Sequence, residues 1–168
     1  MSNSPTLPPA HRLKIAMVEP EIPQNVGNIA RLCAVAGAQL HLVRPLGFVL
    51  SDRHMRRAGM DYLEKMPPIV HDDLPQFKNI LAGGRYWLCT ARSGTAMWHV
   101  KFSPDDWLIF GKETQGLARD WLDHEPLRVV TIPMIPGARC LNVSSAAAIV
   151  LYEALRQIHP AAPPPLHL

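Results

Sequence analysis

The chain has 168 residues, of which 48% are hydrophobic, and it carries a net charge of +3 with an isoelectric point near 8.9. This length fits one domain with a substantial core, and the mild basicity is compatible with a polyanionic partner. No apolar run approaches the roughly 20 residues that span a bilayer, and the first residues lack the apolar stretch of a signal peptide, so no membrane segment is expected. The cysteines, Cys33, Cys89 and Cys140, are widely separated, which favours a reducing cytoplasm over a disulfide framework.

Apolar strands alternate with helical patterns along the first half of the sequence. The runs at 13–19 and 39–43 predict buried strands, separated by a helix whose apolar spacing ends at Gly37. A short basic helix containing Arg56 and Arg57 is predicted after residue 51. A brief strand near residue 69 then precedes a helix at 74–81, for which Asp73 supplies the N-cap.

The second half continues the same alternation. Apolar runs at 85–91, 107–111 and 128–133 predict three more strands, a helix is predicted at 117–124, and a long helix at 143–157 has Asn142 as its cap. Nearly all-apolar strands that alternate with helices predict an α/β fold with a single parallel sheet covered by helices on both faces. We expect one domain at 12–159, a disordered leader at 1–11 and a proline-rich tail at 160–168.

Glycine and polar residues gather where the predicted strands end. Ligands of parallel sheets bind beyond the carboxyl ends of the strands, so these junctions predict a site. The first junction holds Asn25, Asn28 and Arg31, more polar groups than a connector needs. In the junction at 111–117, Glu113 lies two residues after Gly111. Glu113 could cap the next helix or fix a polar partner beside a ligand, and the sequence leaves both roles open.

Several familiar chemistries are disfavoured. The sequence contains no G-x-G-x-x-G, no P-loop and no G-x-S-x-G. The eight histidines lack ligand spacing, and His71-Asp72-Asp73 fits a strand end followed by a cap, so no metal is predicted. The basic run RHMRR, with Arg56 and Arg57, fits phosphate contact and a solvated helix about equally well.

Three segments, in order, resemble the motifs of the SPOUT superfamily of RNA methyltransferases. They are N-x-G-N-I-x-R at 25–31, G-x-E-x-x-G-L at 111–117, and IPM followed by LN-V-S-x-A at 132–146. The stretches EPEIPQNVGNIARLCA, RRAGMDYLE and FGKETQGL are similar to the small stand-alone tRNA 2′-O-methyltransferases that modify the wobble nucleotide.

The resemblance implies a C-terminal trefoil knot, a homodimer whose subunits share each active site, and S-adenosyl-L-methionine as cofactor. The cofactor-binding residues that it implies are Cys89, Gly111, Ile132, Met134, Cys140 and Leu141. Cys140 departs from the pattern, because many relatives carry serine there. A thiol is a weaker hydrogen-bond donor than a hydroxyl, so a contact made by that side chain would be weaker.

The implied reaction transfers a methyl group to the ribose 2′-OH of the wobble cytidine or modified uridine in tRNA. Its catalytic residues would be Arg31, Asn25, Glu113 and Asn142, and its RNA-binding residues Arg31, Arg56 and Arg57. Asn25 would hold Arg31 or Glu113, Asn28 would cap or orient the helix start, and Arg31 would contact the target nucleotide. The alternatives are methylation of another tRNA or ribosomal RNA position, a non-catalytic RNA-binding relative, or a plain nucleotide-binding α/β module.

Overall fold

The computed structural model describes residues 11–49 and 66–159. The strands in this part of the chain are β1 (Lys14–Val18), β2 (Gln39–Val43), β3 (Ile69–His71), β4 (Tyr86–Cys89), β5 (Thr95–Ala96), β6 (Trp107–Phe110) and β7 (Val129–Thr131). The helices are α1 (Pro23–Ala36), α2 (Leu74–Leu81), α3 (Arg119–His124) and α4 (Val143–Ile158), with 3₁₀ turns at Met97–His99 and Pro126–Arg128. Within these ranges, no helix has the length and apolar character needed to cross a membrane.

The strands form one sheet in the order β3-β2-β1-β6-β4-β7-β5, and every pairing between them is parallel. The order reverses at β1 and β6, because β1 continues to β2 on one side and pairs with β6 on the other. Open parallel sheets bind ligands at such a reversal, beyond the carboxyl ends of the strands.

Successive residues of β1 face opposite sides of the sheet. Ile15 and Met17 belong to one apolar cluster, formed with α1 and α4, whereas Ala16 and Val18 belong to a second, formed with α2 and α3. All four are buried. Because both faces are covered, the strands are mainly apolar, and the predicted parallel α/β sheet is confirmed.

The element bounds follow the predictions with small differences. Asp73 accepts a hydrogen bond from the Gln76 N–H at 2.7 Å, which confirms it as the cap of α2. Helix α3 begins at Arg119, two residues after its predicted start. The two-residue strand β5 was not predicted, because Thr95 and Ala96 form no apolar run. The basic helix predicted after residue 51 lies outside the described residues, and the trefoil knot stays a prediction.

Candidate active site

The loops that follow β1 and β6 leave the sheet side by side and turn to opposite faces. Helix α1 packs against the first apolar cluster and α3 against the second, so the two connections diverge. β1 and β6 are paired up to Met17 and Phe110, which brings Glu19 and Lys112 next to each other just beyond the strands. A cleft at this point is what the sheet topology dictates.

Glu113 of the second loop binds the start of α1. Its carboxylate accepts hydrogen bonds from the backbone N–H of Glu21 at 2.7 Å, the N–H of Ile22 at 3.3 Å and the Asn25 side-chain amide at 3.0 Å. Ile22 is the N-cap residue of α1 and has no side-chain cap of its own. Glu113 therefore supplies the acceptor and the negative charge that this helix start requires.

These contacts decide between the two roles that the sequence left open for Glu113. Capping of the next helix is wrong, because the N-cap of α3 is Ala118 and the Glu113 carboxylate binds the start of α1 instead. Glu113 does bind a polar partner, Asn25, and the ligand beside which it was expected to do so stays a prediction. The three hydrogen bonds accepted by this carboxylate tie the loop after β6 to the start of α1.

Asn25 extends the contact to a third loop. Its side chain is buried, its amide nitrogen donates to Glu113, and its Oδ1 accepts from Asn142 Nδ2 at 3.0 Å. Asn142 uses its own Oδ1 to accept the backbone N–H of Ser144 at 2.8 Å, which confirms it as the cap of α4. We call Glu113, Asn25 and Asn142 the Asn25 network; it joins the ends of β1, β6 and β7, which lie far apart in sequence.

The sequence did not predict a second set of contacts between the loops after β1 and β6. The Glu21 carboxylate accepts hydrogen bonds from the Thr114 N–H at 3.1 Å and from its hydroxyl at 2.7 Å. Lys112 pairs with Glu19 at 2.6 Å. Glu21 and Glu113 thus each bind the backbone of the other's loop. A glutamate in a loop carries no sequence signal for a partner more than 90 residues away, since its usual environment is solvent.

Gly111 permits the close approach of its own loop. A Cβ on Gly111 would lie 2.2 Å from the carbonyl carbon of Gly116 and from the nitrogen of Leu117. Gly116 adopts a left-handed φ of +72° and donates its N–H to the Lys112 carbonyl at 2.8 Å. The space beside Gly111 is therefore filled by the protein's own backbone, and no side chain fits at this position.

A cavity of about 420 Å³ opens beside the Asn25 network. It brings together every residue that the family resemblance implied for the cofactor, namely Cys89, Gly111, Ile132, Met134, Cys140 and Leu141, and the three members of the network also line it. Its size is within the roughly 300–1,000 Å³ usual for ligand sites. Apolar residues form much of its wall, among them Phe110, Val130 and Val150.

The two cysteines of the cavity differ in environment. Cys89, at the end of β4, is buried, and burial raises the pKa of its thiol to about 12. Cys140 is exposed in the loop that precedes α4. Only Cys140 therefore presents an accessible thiol to this cavity.

The remaining predicted residues lie apart from the network. Helix α1 begins at Pro23, so Asn28 lies in its second turn, and the prediction that Asn28 caps the helix is wrong. Asn25 holds Glu113, and Arg31 lies exposed in the following turn of α1, outside the described lining of the cavity. Arg56 and Arg57 fall outside the described residues, so their predicted contact with RNA stays a prediction.

Comparison with known proteins places this geometry in a family. Residues 12–152 match the model of the SpoU rRNA Methylase family. A protein of Burkholderia pseudomallei (strain 1106a) named tRNA (cytidine(34)-2′-O)-methyltransferase is 48% identical over 147 residues, covering 85% of this chain and 94% of the relative. One of the same name from Escherichia coli (strain K12) is 42% identical over 147 residues, covering 87% and 94%.

Solved structures agree with the sequence comparison. A structure described as giving insights into the 2-OH methylation of C/U34 on tRNA has a TM-score of 0.84 and 38% identity, covering 90% of this chain and 99% of that one. The SpoU methyltransferase AviRb from Streptomyces viridochromogenes, in complex with AdoMet, has a TM-score of 0.75 and 26% identity, covering 88% of this chain and 58% of that one.

Proposed function

The chain belongs to the SpoU rRNA Methylase family, and we propose that it transfers a methyl group from S-adenosyl-L-methionine to the ribose 2′-OH of nucleotide 34, the wobble nucleotide of tRNA. The observation that carries the proposal is the Asn25 network beside a cavity lined by all the expected cofactor residues. The substrate follows from the relatives named for cytidine 34 and from the structure concerned with C/U34. The proposal covers one domain, 12–159, acting in the cytoplasm.

The cavity fits the cofactor in size and in the character of its wall. Leu141 and Met134 would contact the adenine, and the backbone of Gly111, Ile132 and Cys140 would offer its polar groups. S-adenosyl-L-methionine, when bound, would supply a methyl group on a positively charged sulfur; the ribose oxygen would bond to that methyl carbon as the sulfur leaves as a neutral thioether, so no protein nucleophile is needed. The task left to the protein is to orient the ribose and to favour charge on its 2′-oxygen.

The Asn25 network holds the three loops in place. Because Glu113 and Asn142 are bound to the same carboxamide, the loops after β6 and β7 cannot separate without breaking a partly buried hydrogen bond. Arg31 has the charge to bind a phosphate and to stabilise a developing alkoxide. It is not assigned as a base, because a guanidinium keeps its proton in proteins.

We also propose that two copies form each complete site. Arg31 is exposed and does not line the described part of its own chain's cavity, which suits a residue that serves the partner's cavity. Helix α4 presents Ile149 and Tyr152, three residues apart and 38% and 45% exposed, as an apolar face for that partner. Dimerisation would also double the cationic surface available to an RNA.

The activity is tested by incubating the protein with labelled S-adenosyl-L-methionine and unmodified total tRNA, followed by digestion and nucleoside mass spectrometry. The expected product is 2′-O-methylcytidine or 2′-O-methyluridine, and the variant Arg31→Ala is expected to form none. Product from both proteins would support the methyltransferase activity and show that Arg31 is not required for it. If the protein methylates ribosomal RNA and not tRNA, the substrate is ribosomal RNA and the proposed tRNA substrate is wrong.

A further inference from the structure

A second and larger cavity borders the proposed cofactor cavity. Its volume is about 1060 Å³. Arg92, Lys112, Gln115 and Gly116 line both cavities, so the two spaces share one wall, formed by the loops after β4 and β6. A ligand in the larger cavity would therefore lie next to a ligand in the smaller one.

The larger cavity has an apolar surface on one side. Leu117, Trp121, Leu122 and Val129 line it, and all four belong to the buried cluster beneath α3. Each of the four is at most 7% exposed, so they form a narrow apolar floor whose position is fixed by the packing of the sheet. Planar bases bind such apolar surfaces without regard to their identity.

The cations of this cavity are not equivalent. Lys112 is paired with Glu19 at 2.6 Å, and Arg119 lies 3.6 Å from Asp123. Within residues 11–49 and 66–159, no carboxylate forms an ion pair with Arg92. Of the two cations that line both cavities, Lys112 and Arg92, Arg92 is thus the one that no described carboxylate neutralises.

Arg92 is also held in position. Its backbone N–H donates to Thr90 Oγ1 at 3.2 Å, and its guanidinium Nη2 donates to the Gln115 carbonyl at 3.2 Å. The side chain is exposed. A guanidinium fixed at one nitrogen keeps other N–H groups for an anion, and a phosphate is the anion whose geometry it matches.

We propose that the larger cavity binds the nucleotide next to the methylated one in the RNA chain, with Arg92 binding the phosphate that joins the two. This inference rests on the proposed function and specifies how the same site holds its substrate. The apolar wall accepts the neighbouring base, and the charge at the border fixes the backbone between the two cavities.

The test compares Arg92→Ala with Lys101→Ala, which removes the same charge from an exposed side chain in the loop before β6, beside Arg85 just before β4. Since a charge-assisted hydrogen bond is lost, Arg92→Ala is expected to raise the KM for an anticodon stem-loop by about tenfold, with Arg92→Lys intermediate. Lys101→Ala is expected to leave KM unchanged. If Arg92→Ala also weakens the binding of S-adenosyl-L-methionine by about tenfold, Arg92 binds the cofactor and the inference is overturned.

The position of the phosphate is tested with stem-loops that carry a neutral methylphosphonate on one side of nucleotide 34 or on the other. One of these two substitutions is expected to raise KM for the wild-type protein and to have no further effect on Arg92→Ala. Equal effects on both proteins at both positions would overturn the inference. If the wild-type protein methylates no RNA, the proposed function fails. The dissociation constants of the same methylphosphonate stem-loops, measured for the wild-type protein and for Arg92→Ala, then still show whether Arg92 binds the phosphate.

Discussion

The side-chain amide of Asn25 donates a hydrogen bond to Glu113 at 3.0 Å, across a sequence separation of 88 residues. The Asn25 carbonyl oxygen is bound at the same distance by Asn142, 117 residues away. One buried carboxamide therefore joins the loops at the ends of three strands, and the proposed cofactor cavity lies beside it. The two side chains of this pair tie together the loops that border the cavity, and both of them line it.

Asn25→Ala is expected to lower the free energy of unfolding by about 1–3 kcal/mol, because it leaves a carboxylate oxygen and an amide without their partner in a partly buried site. Methyl transfer should fall by more than the loss of stability explains, since the loops lose their alignment. Urea unfolding and initial rates measure the two effects. Gln24→Ala, an exposed change in the same helix, is the matched control, and a wild-type rate in Asn25→Ala would refute the alignment role.

Cys140 should report cofactor binding. It is the exposed cysteine, whereas burial raises the thiol pKa of both Cys33 and Cys89 to about 12, which keeps them unreactive near neutral pH. A maleimide should add once, at Cys140, and saturating S-adenosyl-L-methionine should slow the addition. Intact-protein mass spectrometry follows the rate, with Cys140→Ser as the control that takes up no label. Labelling that is indifferent to the cofactor would place its binding elsewhere.

Stability should fall as the pH drops below about 6.5, because of a buried histidine pair. His41 Nδ1 lies 2.9 Å from His71 Nε2, and burial lowers the pKa of both, that of His41 to about 4. Each group is neutral in the folded state, so below its unfolded pKa of 6.5 the unfolded chain binds the proton first. The stabilisation is complete above pH 6.5 and is lost as the pH falls towards 4, by up to about 3 kcal/mol for His41.

Urea unfolding between pH 5 and pH 7.5 measures this loss. The double variant His41→Leu with His71→Leu removes both titrating groups and should flatten the slope, since apolar replacement of both partners avoids leaving one unsatisfied. An unchanged slope in the double variant would assign the pH dependence to other groups.

If Arg31 acts on the partner's site, two inactive subunits should complement each other. Arg31→Ala and Ile132→Trp, which fills the cavity without touching α1's start, are expected to be inactive alone. Co-expressed, half of the randomly paired dimers are mixed and each holds one intact site, so about a quarter of the wild-type activity should return. Affinity tags of two kinds isolate the mixed dimer. No recovery would mean that Arg31 serves its own chain, and an active monomer in light scattering would remove the shared site altogether.

The fold was predictable because its signals are local. The apolar runs of the strands, Gly37 at the end of α1 and the caps Asp73 and Asn142 each act within a few residues, so the sequence shows them directly. The strand β5 was missed, because a two-residue strand has no periodicity to detect. Spacing also misplaced Asn28, because the helix begins at Pro23, in a stretch whose two prolines resemble a loop.

The partners within the site were less predictable than its members. Polar residues at strand ends indicated Asn25, Glu113 and Asn142, but nothing local says that Glu113 binds the start of α1 in preference to its own helix. The bonds between Glu21 and Thr114 depend on the pairing of β1 with β6, a contact between distant segments. Such contacts exist only once the sheet has formed, so they could not be predicted from local patterns in a single sequence.

The most direct test of the account uses an anticodon stem-loop that carries 2′-deoxycytidine at nucleotide 34 and ribonucleotides everywhere else. The wild-type protein should transfer a labelled methyl group to the all-ribose stem-loop and none to this substrate, which lacks the single acceptor oxygen. A second substrate with the deoxyribose at a neighbouring position should be methylated, which controls for altered binding. Equal methylation of the stem-loop that is deoxy at nucleotide 34 would contradict the account, since the acceptor would then be another atom.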